Sequence, residues 1–544
     1  MAALWTLLML AVRPLGWQSP AQAASPRAAA LLVWHLSPPL SATSLGQATE
    51  VSTDAPATLG FLCAALGRHP RTKVNVVADR SFLAALQRAG AGDALLDRMA
   101  ARSALENAER SDLMDMLGRG RPVSARVSGL PAGRRYTALM AGARLELRRA
   151  RSIRFSQRDF ADAAGLAAVF RLVESGDLSA ASPLMRKATL TAADLRVVAL
   201  AAARADARVF DQLRRLVKTR AVEIVASPTW EPVLPLLIDA AGKSDIEPNA
   251  VNIAAGADAT ALVADGIAQA AQLNGWAGAG VYSPYGAYDD ATAASLRAQH
   301  AAYALFSDRV LEASEAGGSA EAAKASALGR YRVYAVQTGK TAKLAAFFWD
   351  ERASVQLNSL PGSLPPSALG SRLAALARSA AAAGQAVGHP NVMVVRIDAL
   401  GPWERRDDAA SVIDGLINVL GEGSAAPAAT FSEYLARYGT SDTAYGFAPA
   451  SGLGSFDLWM GSAAQAGLWS ALQSARASAG TDQALRRGGA TGPLAQAEAA
   501  RWFSALVVAQ GQPALDRTTA RFRTLLDQVY RSAGKVPSRN ARPG

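Results

Sequence analysis

The sequence predicts an α/β protein in which a parallel sheet, closed into a barrel of seven or eight strand-helix units, precedes a helical region. Three observations support this prediction. Short apolar runs with β-branched residues recur over the first 425 residues, long Ala-, Leu- and Arg-rich stretches of helical period separate them, and strand signals then stop. Strands that alternate with helices indicate a parallel sheet, and continuous apolar strands indicate that both faces are covered.

The sequence predicts seven short strands, at 31–34, 74–77, 222–226, 280–282, 302–306, 331–336 and 392–397. The stretches 192–218 and 258–273 have the clearest helical period between them. From residue 431 onward the pattern is helical, broken by turns that contain Gly and Ser. We therefore predict a barrel over 25–425 and a C-terminal helical bundle over 426–544 that packs on it.

The composition is that of a globular protein. The chain has 544 residues, of which 50% are hydrophobic and 19% are charged. A formal charge of +12 raises nucleic acid or a membrane surface as a partner. However, Arg and Asp are interspersed along most segments, and no basic stripe is interleaved with aromatic residues. We therefore predict a solvated basic surface and no nucleic-acid partner.

Cysteine and histidine usage excludes two kinds of site. Cys63 is the only cysteine, so an internal disulfide is excluded, and its apolar surroundings are typical of a buried thiol. The four histidines, His35, His69, His300 and His389, do not have the spacing of metal ligands. We predict no metal site and no cofactor.

The N-terminal stretch has the features of an export signal. The apolar run over 2–12 is shorter than the roughly 20 residues that a transmembrane helix needs. A small-x-small pattern at 21–23 follows it, which predicts a signal peptide over 1–24 and a periplasmic or secreted protein. The alternative is the N-terminal helix of a cytoplasmic protein. No later run has membrane length, so we predict no integral membrane segment in the mature chain.

The segment 280–290, G-V-Y-S-P-Y-G-A-Y-D-D, resembles the nucleophile loop of glycoside hydrolase family 57. In that family the pattern is roughly G-x-W-P-S-E-G-S-V, and its Glu attacks the anomeric carbon of the sugar. Tyr282 stands here at the Trp position, Gly286 at the Gly position and Tyr285 at the Glu position. The resemblance therefore places a phenol where the family has its nucleophilic carboxylate.

Two earlier segments resemble the first signatures of the same family. The run 31–39, L-L-V-W-H-L-S-P-P, is similar to W-H-x-H-Q-P and keeps His35, with Ser37 at the second His. The run 222–237 is similar to I-E-x-x-x-x-P-Y-Y-H-P-I-L-P-L-L, with Trp230 at an aromatic position and Glu231 at the His position.

Four later segments complete the resemblance. The run 347–358 is similar to F-R-D-x-x-L-S-D-x-I-G and keeps Asp350. The run 392–404 is similar to the strand and loop of the general acid. Across the last three segments the resemblance places the following residues: Asp398 on the catalytic Asp, Trp403 and Glu404 at kept positions after it, Trp459 in the run 454–461, and Glu498, Arg501 and Trp502 in the run 497–503, where Arg501 replaces an Asp.

The resemblance implies an incomplete barrel of seven parallel strands, with a C-terminal bundle that lends residues to the site, and an α-glucan as substrate. Barrel enzymes carry their active sites at the carboxyl ends of the strands, so we expect Tyr285, Glu231 and Asp398 to converge there. Retaining hydrolysis needs two carboxyl groups about 5 to 5.5 Å apart, one to attack and one to protonate the leaving oxygen. Asp398 fits the acid, and no carboxylate is aligned to attack.

Three hypotheses for function follow. The first is an α-glucan-binding protein of weak or no activity, whose cleft is lined by aromatic residues. The second is an active glycosidase or glucanotransferase with a rewired site, in which Glu231 or Tyr285 acts with Asp398. The third is a non-catalytic interaction module of the cell envelope, whose aromatic residues are core or partner surface. The candidate substrate-binding residues are His35, Trp230, Tyr282, Trp403, Trp459, Glu498 and Trp502.

Overall fold

The computed structural model describes residues 27–38, 41, 43–91, 93–119, 123, 125–149, 155–241, 243, 253, 255–316, 329–340, 342–359, 365–383, 388–399, 408–421, 424–480, 492–508 and 512–535. The predicted signal peptide, together with Trp403 and Glu404, lies outside the described residues. Within them, no helix combines the length and the apolar character that crossing a bilayer requires.

The centre of the molecule is a nine-stranded sheet in the order β8-β1-β2-β3-β4-β5-β7-β6-β9. In this order, the first seven strands, β8, β1, β2, β3, β4, β5 and β7, run parallel, and β6 lies antiparallel to β7. The strands are β1 (Ala28–Leu36), β2 (Val74–Ala78), β3 (Val222–Ala226), β4 (Val281–Tyr282), β5 (Tyr303–Ser307), β6 (Tyr334–Gln337), β7 (Lys343–Trp349), β8 (Asn391–Asp398) and β9 (Asp442–Ala444). The prediction of an incomplete seven-stranded parallel barrel is confirmed.

The barrel remains open between β7 and β8. The two strands approach each other there, and the backbone N–H of Asp350, just after β7, donates to the carbonyl of Val394 in β8 at 2.9 Å. Neither strand pairs with the other in the sheet order. The sequence does not predict two of the strands. One is β7, whose end overlaps the motif at 347–358, and the other is the short edge strand β9.

Helices cover the outer face of the sheet, and the last of them ends at Ser532. The helices that precede β4 in the sequence are α1 (Ser44–Ala55), α2 (Phe61–Arg68), α3 (Arg80–Ala91), α4 (Ala94–Ala100), α5 (Asn107–Arg119), α6 (Ala125–Ser128), α7 (Pro131–Arg149), α8 (Gln157–Glu174), α9 (Leu178–Met185), α10 (Ala192–Lys218), α11 (Leu234–Ile238) and α12 (Gly256–Asn274). Those that follow are α13 (Asp290–Ala298), α14 (Arg309–Ala316), α15 (Glu351–Asn358), α16 (Pro366–Ala382), α17 (Ala409–Val419), α18 (Phe431–Tyr438), α19 (Asp457–Met460), α20 (Ala463–Ala479), α21 (Pro493–Ala497), α22 (Ala500–Val508) and α23 (Gln512–Ser532).

The two faces of the sheet bury two different sets of side chains. Outward-facing residues such as Trp34 and Ile224 pack under the surrounding helices in the largest apolar core. Inward-facing residues such as Val33 and Phe347 fill the barrel. Phe431 of α18 joins this inner set, and its backbone N–H donates to the Asn75 side chain, near the amino end of β2. Helix α18 thus closes the amino-terminal end of the barrel and leaves the carboxyl ends of the strands for the polar residues.

A second helical core lies between β2 and β3 in the sequence. Helices α4, α5, α7, α8 and α9 and the first half of α10 bury their apolar side chains together, among them Leu96, Phe160 and Leu166. Helix α10 belongs to both cores, since Leu195 packs in this helical core and Leu213 packs in the core around the sheet. Helical periodicity predicts α10 but gives no sign of this separate core.

Candidate active site at the carboxyl ends of the strands

His35 and Asp398 meet because β1 and β8 are neighbours in the sheet. The two residues are register partners near the ends of these parallel strands. The Nδ1 atom of His35 lies 3.0 Å from Oδ1 of Asp398. The Asp398 side chain is 34% exposed, whereas that of His35 is 5% exposed, so the carboxylate forms the outer member of the pair.

Glu231 reaches the same histidine from the other side. It follows β3 in a turn where Trp230 and Glu231 have φ angles of 69° and 51°, a left-handed conformation that is uncommon for residues other than glycine. The buried carboxylate of Asp79 accepts the Trp230 backbone N–H at 2.8 Å and holds this turn in place. As a result, Oε1 of Glu231 lies 2.7 Å from Nε2 of His35 and accepts a hydrogen bond from Ser227 at 3.1 Å.

His35 carries a positive charge at neutral pH. Burial alone lowers its pKa, but the negative charges and hydrogen bonds of Glu231 and Asp398 outweigh that effect and raise the pKa to about 9. The site therefore contains an imidazolium ion between two carboxylates. The predicted convergence of Glu231 and Asp398 is seen here, with the imidazole ring filling the space between them.

Asp398 is ionised under the same conditions. Burial raises its pKa, but the charge of Arg396 and the hydrogen bond from His35 lower it to about 2. Nη1 of Arg396 lies 3.4 Å from Oδ1 of Asp398. The side-chain oxygen of Asn358 accepts the Asp398 backbone N–H at 3.0 Å and fixes the end of the strand.

Below this pair, Arg396 connects to a second buried carboxylate. Its guanidinium donates to the hydroxyl of Tyr282 at 3.1 Å and lies 3.8 Å from Glu351. Glu351 also accepts hydrogen bonds from the Trp349 indole N–H at 2.5 Å and from Ser307 at 3.2 Å. Burial holds the pKa of Tyr282 well above its ordinary value, so its phenol is neutral.

Tyr285 lies at the edge of this cluster. Its backbone has a φ of 58°, and its ring packs edge-on against Trp459 with 4.9 Å between the centroids. Its backbone N–H donates to the Tyr282 hydroxyl at 3.2 Å. Gly286 follows with a φ of 66°, and a Cβ atom there would lie 2.5 Å from the backbone N of Ser307, so only glycine fits.

The Tyr285 phenol is protonated at neutral pH. Burial raises its pKa to about 12, although the nearby charge of Arg501 and a hydrogen bond with Ser504 oppose this rise. Arg501 belongs to α22, donates to the carbonyl of Pro38, and also lowers the pKa of Asp398. The C-terminal helices therefore contribute to the site through Arg501 and Ser504.

The other predicted site residues are buried. Trp230, Tyr282, Trp459, Glu498 and Trp502 are at most 3% exposed. Glu498 contacts Arg476, which also contacts Asp258, and Trp502 donates to the Gln496 carbonyl at 2.9 Å. Over the described ranges, no hydrogen bond, ion pair or ring contact joins Glu498 or Trp502 to His35, Glu231 or Asp398.

Three charged residues of the cluster were missing from the sequence-based site prediction: Glu351, Arg396 and Arg501. Glu351 directly follows Asp350, Arg396 precedes Asp398 by two positions on the same strand face, and Arg501 stands at an aligned position. Proximity to motif residues was therefore the available signal. Among the described residues, no group of three or more His, Cys, Asp or Glu side chains is arranged to hold a metal ion.

Solved structures with the same fold include glycoside hydrolase family 57 branching enzymes and an α-amylase. A GH57-type branching enzyme from Pyrococcus horikoshii has a TM-score of 0.52 and 12% sequence identity, over 93% of this chain and 95% of that one. A GH57 branching enzyme from Thermococcus kodakaraensis, in complex with glucose, has a TM-score of 0.53 and 12% identity, over 93% and 90%. An α-amylase from Thermotoga maritima has a TM-score of 0.50 and 12% identity, over 95% and 96%. No protein-family profile and no curated protein matches the sequence.

Proposed function

Because the chain has the fold of glycoside hydrolase family 57 enzymes, we propose that it binds an α-glucan at the carboxyl ends of its strands and has weak or no hydrolytic activity. The observation that carries this proposal is the position of Asp398, the residue aligned with the general acid, whose Oδ1 lies 3.0 Å from His35 and 3.4 Å from Arg396. These two neighbours hold the pKa of its carboxyl at about 2, although burial raises it. A general acid must hold a proton at the working pH, and Asp398 has none to give at neutral pH.

Glu231 does not supply the missing nucleophile. Its side chain is 3% exposed, and its Oε1 atom is bound to His35 and Ser227. The imidazole ring of His35 lies between Glu231 and the more exposed Asp398. A sugar that contacts Asp398 would therefore meet His35 before it reached Glu231, which disfavours the rewired retaining mechanism.

Tyr285 is also a poor nucleophile in this environment. A phenol attacks only after it loses its proton, and burial raises the pKa of Tyr285 from 10.0 to about 12. A general base in contact with its hydroxyl would be required, but the hydrogen-bond partner there is the Ser504 hydroxyl, which does not accept a proton at neutral pH. The charges of Arg501 and Arg396 lower the pKa of Tyr285, whereas the charge of Glu231 raises it, and Glu231 is itself bound to His35 and Ser227.

The accessible part of the site suits binding. Asp398 is about one-third exposed, and Ser37, Tyr285 and Arg501 are each partly exposed. Carboxylate, guanidinium and hydroxyl groups hydrogen-bond sugar hydroxyls, and the Tyr285 ring offers an apolar face. Trp230, Tyr282 and Trp459 lie beneath this surface, so we propose that they support the site and do not contact the sugar.

Export of the protein by a signal peptide over residues 1–24 stays a prediction.

The test is to measure binding and turnover on one preparation. We expect maltoheptaose to bind in isothermal titration calorimetry, and we expect no release of reducing sugar above the buffer rate from maltoheptaose or amylopectin. Tyr285→Ala should weaken binding about tenfold because it removes the ring face. Tyr445→Ala is the matched control, since Tyr445 is 69% exposed and lies outside the site.

Two results would contradict this proposal. One is the absence of measurable binding of any maltooligosaccharide, which would favour an interaction module. The other is release of reducing sugar that disappears in both Asp398→Asn and Glu231→Gln, which would show an active enzyme with a rewired site.

A further inference from the structure

A large groove lies on the outer surface of the barrel, between α3, the second half of α10 and α12. Its volume is about 1160 Å³. This volume exceeds the usual range for small-ligand pockets, which is about 300 to 1,000 Å³, so the groove has room for a short oligomer. None of the residues that line it contributes a side chain to the cluster around His35.

The groove is strongly basic. Its lining includes five cationic side chains and two carboxylates, a net charge of +3. Arg80 is paired with Asp265, and Arg208 is paired with Asp177. The remaining three cations are Arg214, Arg215 and Lys218, all exposed, and within the described part of the chain none of them forms an ion pair.

These three cations lie close together in the last turns of α10. Residues four positions apart on a helix are neighbours, so Arg214 and Lys218 repel each other slightly in the absence of a ligand. A bound anion would remove this repulsion and bind all three charges. The groove therefore has the electrostatic character of an anion-binding site.

The other side chains of the groove indicate which kind of anion. Gln87 and Gln272 are exposed there, and Asp211 contributes an exposed carboxylate. Amides and carboxylates hydrogen-bond hydroxyl groups, which sugar rings carry in high density. Phe210 is the aromatic side chain of the lining, and it packs against the core, so the groove offers no exposed ring for stacking bases.

We propose that this groove binds an acidic polysaccharide, a polymer of sugar rings that carry carboxylates. The cations would pair with the carboxylates, and the amides and Asp211 would bind the hydroxyl groups. This site is separate from the proposed α-glucan site, and neither proposal depends on the other.

The test uses polygalacturonate as the acidic polymer, with maltoheptaose and polyuridylate measured alongside it by calorimetry on the whole chain. The groove variant is Arg214→Gln with Lys218→Gln. The matched control is Arg196→Gln with Arg204→Gln, since these two arginines are exposed on the same helix and do not line the groove. Both pairs remove the same charge from the same helix.

We expect polygalacturonate to bind the original protein, and the groove variant to bind it about fivefold to tenfold more weakly. The control pair should bind it as the original protein does, and maltoheptaose binding should be equal in all three proteins. The proposal is overturned by any of three results: no binding of polygalacturonate, an equal loss in both variants, or tighter binding of polyuridylate than of polygalacturonate. Loss of maltoheptaose binding alone would count against the α-glucan site and not against the groove.

Discussion

The cluster around His35 and the groove beside α10 are both rich in charged side chains, but the charges are buried and paired in the cluster and, in the part of the chain that the structure describes, include exposed, unpaired cations in the groove. In the cluster, His35 and Arg396 each lie within 4 Å of a carboxylate. In the groove, Arg214 and Lys218 are exposed and form no ion pair within the described residues. A buried charge is costly unless it is paired, whereas water stabilises an exposed one. The charged groups of the cluster therefore neutralise one another, whereas Arg214 and Lys218 of the groove can pair with a ligand.

The largest test of this comparison is to remove the centre of the cluster. We expect His35→Ala to lower the free energy of unfolding by about 3 to 5 kcal/mol, because it leaves Glu231 and Asp398 without their shared partner. Urea denaturation at pH 6 would measure the change. His69→Ala is the control, since His69 also lies 3.0 Å from an aspartate, Asp414, but is 25% exposed whereas His35 is 5% exposed, and its loss should cost about 1 kcal/mol or less. Equal effects would show that burial does not distinguish the two histidines.

A change of pH should loosen the cluster without a mutation. The pKa of His35 rises from 6.5 to about 9 on folding, so its stabilisation is complete below pH 6.5 and is lost as the pH rises through 9. We expect the unfolding free energy to fall by about 3 kcal/mol over this range because of His35. His35→Gln has no titrating ring, and the pH dependence should be smaller in that variant by the same amount. An identical pH profile in both proteins would contradict the assigned charge state.

Asp398 gives a smaller effect with the opposite pH dependence. Its pKa falls from 3.8 to about 2 on folding, so its stabilisation is present above pH 3.8 and is lost as the pH falls through 2. We expect Asp398→Asn to cost about 1 to 2 kcal/mol at pH 6, reduced because a third of the side chain is exposed. The double variant with His35→Gln should cost less than the sum of the single variants, because the two residues share one interaction. Additive costs would show that the pair is not coupled.

Substitutions in the groove should have the smallest effect on stability, and they should stabilise the fold, whereas those in the cluster destabilise it. We expect Arg214→Gln with Lys218→Gln to change the unfolding free energy by about 0.5 kcal/mol or less, on the stabilising side, because the substitution removes a repulsion between neighbours. Thermal unfolding at low and high salt would measure it, and the difference should shrink at high salt. A loss of more than about 1 kcal/mol would mean that these cations stabilise the fold.

The barrel could be predicted from the sequence where local signals and burial agree. The run 222–226 is apolar and becomes a buried central strand with the predicted bounds. The helix over 192–218 also has the predicted bounds, and a capping box of Thr191 and Asp194 fixes its start. In contrast, β9 lies at the sheet edge with two of its three residues exposed, so its sequence carries no apolar pattern.

The candidate site could be predicted only in part. The rule that parallel strands present their carboxyl ends together predicts that Tyr285, Glu231 and Asp398 lie near one another, and the structure places Glu231 and Asp398 on either side of His35 with Tyr285 at the edge of the cluster. The roles of Glu498 and Arg396 could not be predicted in this way. A motif gives a residue its position along the chain but does not say which charges it will meet, so only the structure shows Glu498 beside Arg476 and Arg396 between two carboxylates.

Helix α10 couples the unfolding of the two cores. At 27 residues it is about 40 Å long, and it runs without interruption from the helical core between β2 and β3 to the core around the sheet. If either core unfolds, one half of α10 loses its packing contacts. We therefore expect the amide protons in the middle of α10 to exchange with solvent only when both cores open together, as a single cooperative unit.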